Sequence, residues 1–210
     1  MGCGWTPHGD VDYSRVQAVE VVNGIDADTP FSGIGFWEQL LNRGYDLTAI
    51  GGSDNHDALL RNSGAIGTPT TVIFADELSQ EGIVAAIRRG RVFIDVAGTR
   101  DRSVELTATV GGQVAHMGDT LTLARGVSVR FDGVVTGVSS GALELIVDGE
   151  RAPLLKDARI DSMAGGGTGK SFGFPWRADG KAHWVRVDVR DSAARLALVG
   201  NPVYIRGSAR

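Results

Sequence analysis

The residues best suited to chemistry lie in Gly51-Gly52-Ser53-Asp54-Asn55-His56, directly after a short apolar run that starts at Leu47. Two glycines at a strand end let the backbone turn sharply, because glycine lacks the side chain that restricts φ. Asp54 and His56 then follow two residues apart, and in extended chain residues i and i+2 project to the same side. One carboxylate oxygen and one imidazole nitrogen can then converge on a single ion at the carboxyl edge of a parallel sheet, where α/β enzymes place their sites. This donor pair suits Zn, Mn or Fe, whereas calcium takes oxygen ligands alone. On the residues alone a plainer reading competes, in which Asp54 caps the next segment and His56 sits on a surface loop.

The elements that must position this pair alternate between strand and helix. Val16 to Asn23 is a β-branched run stopped by Asn23-Gly24, as in a buried strand. Between Gly33 and Arg43, Ile34, Trp37, Leu40 and Leu41 fall at helical spacing, and Gly44 supplies a stop. Leu47 to Gly51 and Thr70 to Ala75 read as further strands. Ser79 can cap a helix over Gln80 to Arg89, with Gly90 after its end and a strand from Val92 to Val96 next. Strand and helix in alternation predict parallel pairing. Beyond residue 100 the period becomes two, over Ser103–Val110, Gly126–Val135, Ala142–Asp148, His183–Asp191 and Val203–Ile205. Gly111-Gly112, Asp132-Gly133, Ser140-Gly141 and Asp148-Gly149 punctuate these runs as hairpin turns do, which predicts an antiparallel sandwich. The Gly-rich stretch 156–181 reads as a loop or irregular hairpin.

The chain has 210 residues, 42% of them apolar and 22% charged, which suits a soluble globular protein with a sizeable core. No apolar run approaches the roughly 20 residues of a membrane helix, and no signal peptide is visible. The net charge of −4 argues against nucleic acid as a partner, and Cys3 is alone, so no internal disulfide or cysteine zinc knuckle can form. Ala164 to Ser171 (Ala-Gly-Gly-Gly-Thr-Gly-Lys-Ser) satisfies a relaxed phosphate-loop pattern, but Pro175 follows where that motif needs a helix.

The run Gly51 to Asp57 resembles the last metal motif of the polymerase and histidinol phosphatase (PHP) superfamily of metal-dependent hydrolases. Val19-Glu20-Val21-Val22-Asn23 resembles that family's late strand, and Phe36 to Gly44 the helix before the motif. Ile66 to Val72 and Gly90 to Ile94 resemble the segments after it, and Asn201-Pro202-Val203-Tyr204 the closing strand of the branch that includes carbaryl hydrolases. The resemblance implies an α/β plus all-β chain: a partial PHP-type (β/α) barrel over residues 1–98, followed by an antiparallel immunoglobulin-like β-sandwich over 103–207. It implies Asp54 and His56 as metal ligands, Glu20 and Asn23 as supporting groups near the cluster, and Zn, Mn or Fe as cofactor. The substrate it implies is a small-molecule phosphoester, or a carbamate or carboxylic ester, attacked by metal-activated hydroxide.

PHP proteins also carry an H-x-H motif and further histidines, whereas this chain has only His8, His56, His116 and His183. The expectation is therefore a C-terminal portion of a longer hydrolase that alone binds metal weakly, turns over little substrate and can self-associate through uncovered barrel edges. The alternative is a non-catalytic binding module on a degenerate scaffold. Its contact surface would be Phe172, Phe174 and Trp176, unless these fold back over the sandwich.

Overall fold

The computed structural model of the chain describes residues 6–24, 27–59, 61, 64–152, 158–163 and 169–208. It opens with a strand–helix–strand unit of β1 (Ala18–Asn23), α1 (Ile34–Asn42) and β2 (Thr48–Gly52). β1 and β2 pair in parallel, Ala18 opposite Thr48 and Asn23 opposite Gly52, with a register slip between Glu20 and Val22. The helical spacing seen in the sequence buries Trp37, Leu40 and Leu41 on one face of α1. Trp37 Nε1 donates to Leu47 O at 2.8 Å, tying the helix to the start of β2.

Next come β3 (Thr70–Ile73), α2 (Gln80–Arg88) and β4 (Val92–Asp95). Ser79 caps α2 as expected, its Oγ accepting from Gly82 N at 2.9 Å. Here the expected parallel pairing fails. β3 and β4 are antiparallel, with Ile73 opposite Val92. The segment 74–91 leaves and re-enters the sheet at the same end, so α2 is not a crossover helix and cannot make its flanking strands parallel.

The remaining strands are β5 (Ser103–Val110), β6 (Gln113–His116), β7 (Thr120–Leu123), β8 (Ser128–Thr136), β9 (Ala142–Val147), β10 (Glu150–Arg151), β11 (Gly169–Arg177), β12 (His183–Arg190), β13 (Leu196–Gly200) and β14 (Val203–Gly207). They form a four-stranded sheet ordered β11-β8-β5-β6 and a larger sheet ordered β10-β9-β12-β13-β4-β3, to which β14 and β7 attach. The described residues thus form a mostly β molecule of 43% strand and 11% helix, with no closed barrel. The partial PHP-type (β/α) barrel with an immunoglobulin-like sandwich is corrected accordingly: only β1-α1-β2 has the parallel βαβ form, and strands β3 and β4 continue the antiparallel sheet of β9, β12 and β13.

The large sheet is the middle of three layers. Its one face, with Phe93, Leu143, Leu145, Val185, Val187 and Leu198, packs on Leu106, Phe131 and Phe174 of the four-stranded sheet. Its other face, with Ile94, Ile146, Trp184 and Val199, packs on Val21, Trp37, Leu40 and Ala49. Side chains splice β2 onto this middle layer. Asn201, 1% exposed, accepts from Ala49 N at 2.8 Å and donates Nδ2 to Ala49 O at 3.0 Å and Val92 O at 2.9 Å. Thr71 Oγ1 accepts from Gly51 N at 2.9 Å and donates to Gly51 O at 2.7 Å. No helix among the described residues is long and apolar enough to cross a membrane.

Candidate functional site: an acid–imidazole pair and a charged cavity

Asp54 and His56 leave the carboxyl end of β2, and their side chains meet, His56 Nε2 lying 3.2 Å from Asp54 Oδ1. The route differs from the one the spacing suggests. Gly51 and Gly52 are still strand, and the left-handed residue is Asp54, at φ +49°. The two glycines serve close approach instead: a Cβ on Gly51 would stand 2.9 Å from Ile94 Cγ2, and one on Gly52 would collide with the Glu20 carboxylate. Asn55 Nδ2 donates to Gly64 O at 2.7 Å, fastening the turn between the two side chains. A left-handed non-glycine residue costs on the order of 1 kcal/mol, modest for aspartate. A polar contact this exposed to solvent returns about that or less. With His56 and Asp54 86% and 50% exposed, the contact itself adds little stability.

The separation fits chelation. Bonds of about 2.0–2.2 Å to one ion at tetrahedral to octahedral angles hold two donors about 2.8–3.6 Å apart. The rest of the implied set does not assemble around them. Glu20 pairs with Ile50 and lies across Gly52, Asn23 stands opposite Gly52 at the end of β1, and among the described residues no three or more His, Cys, Asp or Glu side chains are grouped so that they could hold a metal ion.

No family model, curated protein or solved structure matches this chain.

The other sequence candidates separate. His8 is exposed near the C-terminal end of α1, its carbonyl accepting from Arg43 Nη1 at 3.1 Å. His116 is exposed on β6. His183 is held between two carboxylates, Nδ1 2.5 Å from Asp148 Oδ2 and Nε2 3.0 Å from Asp179 Oδ1. Of the phosphate-loop pattern, Gly169, Lys170 and Ser171 belong to β11, paired with Thr136, Val135 and Val134, while residues 164–168 lie outside the described residues, as does Cys3. Phe172 and Phe174 turn into the core at 9% and 3% exposure, so the aromatics of β11 fold inward rather than forming a contact surface.

A second constellation was missed by the sequence reading. On β12 the odd positions Val185, Val187 and Val189 face the sandwich core, so Trp184, Arg186, Asp188 and Arg190 face α1. Arg186 is bidentate to Asp188, Nε to Oδ1 at 3.0 Å and Nη2 to Oδ2 at 2.9 Å, and Nη1 lies 2.8 Å from Glu38 Oε1. Its guanidinium stands 5.0 Å from the Trp37 ring centroid and 5.4 Å from that of Trp184. Arg190 pairs with Asp28 at 2.8 Å and with Glu144 at 2.9 Å, and Arg151 reaches the same Glu144 oxygen at 3.0 Å. Burial pushes the Glu38 carboxyl above its ordinary pKa, with Arg186 opposing. These groups border an open cavity of about 490 Å³. The available signal was Arg186-x-Asp188-x-Arg190, alternating charge on one face of a strand, which reads as a solvated face until α1 is laid over it.

Proposed function

We propose that the chain contributes Asp54 and His56 to the divalent-metal site of a hydrolase acting on phosphoesters or on carbamate or carboxylic esters. Further donors come from polypeptide beyond the described residues, and the 210 residues alone bind metal weakly and turn over little substrate. One observation carries the reading: an oxygen and a nitrogen donor 3.2 Å apart, both solvent-accessible, at the carboxyl end of a parallel strand pair. The resemblance of Gly51–Asp57 to a PHP metal motif supports the choice of chemistry. A bound Zn, Mn or Fe ion would supply Lewis acidity and acidify water. The chain's own part is to present the two donors at chelating distance, with Asn55 pinning the turn and Gly51 and Gly52 allowing β2 to sit against Ile94 and Glu20.

The test is metal binding by calorimetry with Zn and Mn, run beside hydrolysis of an aryl phosphate and an aryl carbamate. Weak binding is expected in the chain as it stands, and its loss in both Asp54→Ala and His56→Ala. Unchanged metal content in the two variants, or two or more tightly held ions per chain, overturns the proposal.

A further inference from the structure

The cavity over β12 lies apart from the Asp54–His56 pair, and two of its buried donors lack acceptors. Arg186 Nη1 and Arg190 Nε make no hydrogen bond among the described residues. Each has a carboxylate nearby, Glu38 Oε1 at 2.8 Å and Glu144 Oε1 at 2.9 Å, but neither oxygen lies along an N–H bond. These contacts balance charge without accepting a hydrogen bond. The Arg186 side chain is 3% exposed, and a charged donor buried in that state costs free energy that an added acceptor returns. Its guanidinium cannot turn to find one, since Asp188 holds Nε and Nη2 while the Trp37 and Trp184 rings stand 5.0 Å and 5.4 Å away.

At each place a guanidinium N–H needs an acceptor beside a carboxylate oxygen that can take a donor. A hydroxyl supplies both from one atom. An anion supplies only the acceptor, and the four carboxylates and three guanidiniums bordering the cavity leave one negative charge to repel it. An ammonium or guanidinium has no acceptor at all. Both nitrogens are covered, so a hydroxyl enters as the Glu38 and Glu144 side chains, 21% and 12% exposed, shift to share it. Arg186 and Arg190 stand four positions apart on β12, about 13 Å of strand, so the hydroxyls must sit on one extended molecule. Ile34, Phe36, Ile146 and Leu196 offer apolar wall to its C–H faces, and the volume of about 490 Å³ falls in the range of small-molecule pockets.

We infer that this cavity binds an uncharged polyhydroxyl compound, a sugar of up to two rings, whose hydroxyls bridge Arg186 to Glu38 and Arg190 to Glu144. The inference is independent of the metal reading, since the groups that bind the hydroxyls lie on α1, β9 and β12.

The experiment titrates the whole chain by calorimetry with cellobiose, methyl glucoside, glucosamine, glucuronate and cyclohexanol, with amide chemical shifts mapped by NMR. Cellobiose is expected to bind best and methyl glucoside next. Cyclohexanol, with its single hydroxyl, should bind at least about tenfold more weakly than the glucoside, since loss of one or two hydrogen bonds is worth about that factor. Neither charged analogue should bind more tightly than the glucoside. Shifts should concentrate at residues 34–39, 142–147 and 184–190. Arg190→Lys, which keeps the charge and loses the Nε donor, should weaken cellobiose about tenfold. No binding of cellobiose, equal binding of cyclohexanol and the glucoside, preference for either charged analogue, shifts centred elsewhere, or unaltered affinity in a folded Arg190→Lys overturns the inference. Should Arg190→Lys not fold, the probe comparison and the shift map on the unaltered chain still decide it.

Discussion

At the scale of single residues, the histidine held by carboxylates on both ring nitrogens is His183 rather than His56. A neutral imidazole donates from one nitrogen only, so a ring with carboxylates at both nitrogens is held as the imidazolium. Burial works against that charge, but Asp148 and Asp179 together outweigh it and raise the pKa above 6.5. The ring edge of Trp176, 5.3 Å away by centroid, adds no charge. The sign follows from linkage: a raised histidine pKa gives stability that is complete below pH 6.5 and lost as pH climbs through the folded-state value. Asp148 also accepts from Trp184 N at 3.0 Å, so releasing the histidine loosens the turn before β10 and the start of β12 together. Melting temperatures from about pH 6 to about pH 9, where carboxylates no longer titrate, should fall for the native chain and fall less for His183→Asn. Parallel curves for the two proteins would show that the clamp carries no proton-linked stability.

At the scale of elements, a strand can join a sheet through side chains. β2 shares no backbone ladder with β4, yet the Asn201 carboxamide meets Ala49 and Val92 much as a peptide group would. Asn201→Ala leaves one buried donor and two buried acceptors unpaired, and is expected to cost about 2–4 kcal/mol in urea unfolding. Asn201→Asp keeps an acceptor for Ala49 N and loses both donations, so it should recover little of that loss. A cost under about 1 kcal/mol for either variant would show that water replaces the amide. Asn201 explains what could be read in advance and what could not. The period-two runs of β5, β8, β9 and β12 and the capped helix α2 are local patterns, and the structure has them near the expected bounds. β13 was missed because all five of its residues are buried, so it has no alternation. β11 falls in the stretch 156–181, whose glycines read as a loop or irregular hairpin, and as a sheet edge it tolerates Pro175. Strand direction for β3 and β4 depends on where α2 returns the chain, which no local pattern records. The same holds for the sites. Asp54 and His56 sit two residues apart and their meeting was legible, whereas the charged cavity needs α1 placed on β12, joined through Asn42 and Trp184 across 142 positions.

At the scale of the whole molecule, the middle sheet makes one unit of segments that the sequence pattern divides near residue 100. β4 shows why. Phe93 packs into the sandwich core and its neighbour Ile94 into the core beneath α1 and β2, so neither outer layer can separate without exposing one face of this strand. β9 and β12 do the same from the other half of the chain, with Leu145 and Val185 on one side and Ile146 and Trp184 on the other. Unfolding is therefore expected to be a single transition, although 210 residues exceed the size at which that is routine. Phe93→Ala removes a ring that is 1% exposed and should cost about 3–5 kcal/mol. Its informative consequence is at a distance. Trp37 reports on the α1 layer and Trp176 on the four-stranded sheet, and 5-fluorotryptophan labelling follows the two by fluorine NMR once Trp37→Phe and Trp176→Phe have assigned their signals among those of the four tryptophans. A shared middle layer requires both signals to move to lower denaturant by the same amount in Phe93→Ala. Were the Trp176 transition to shift while that of Trp37 held its midpoint, the two cores would be energetically separate despite their common sheet, and β4 would be a contact between units rather than the strand that unites them.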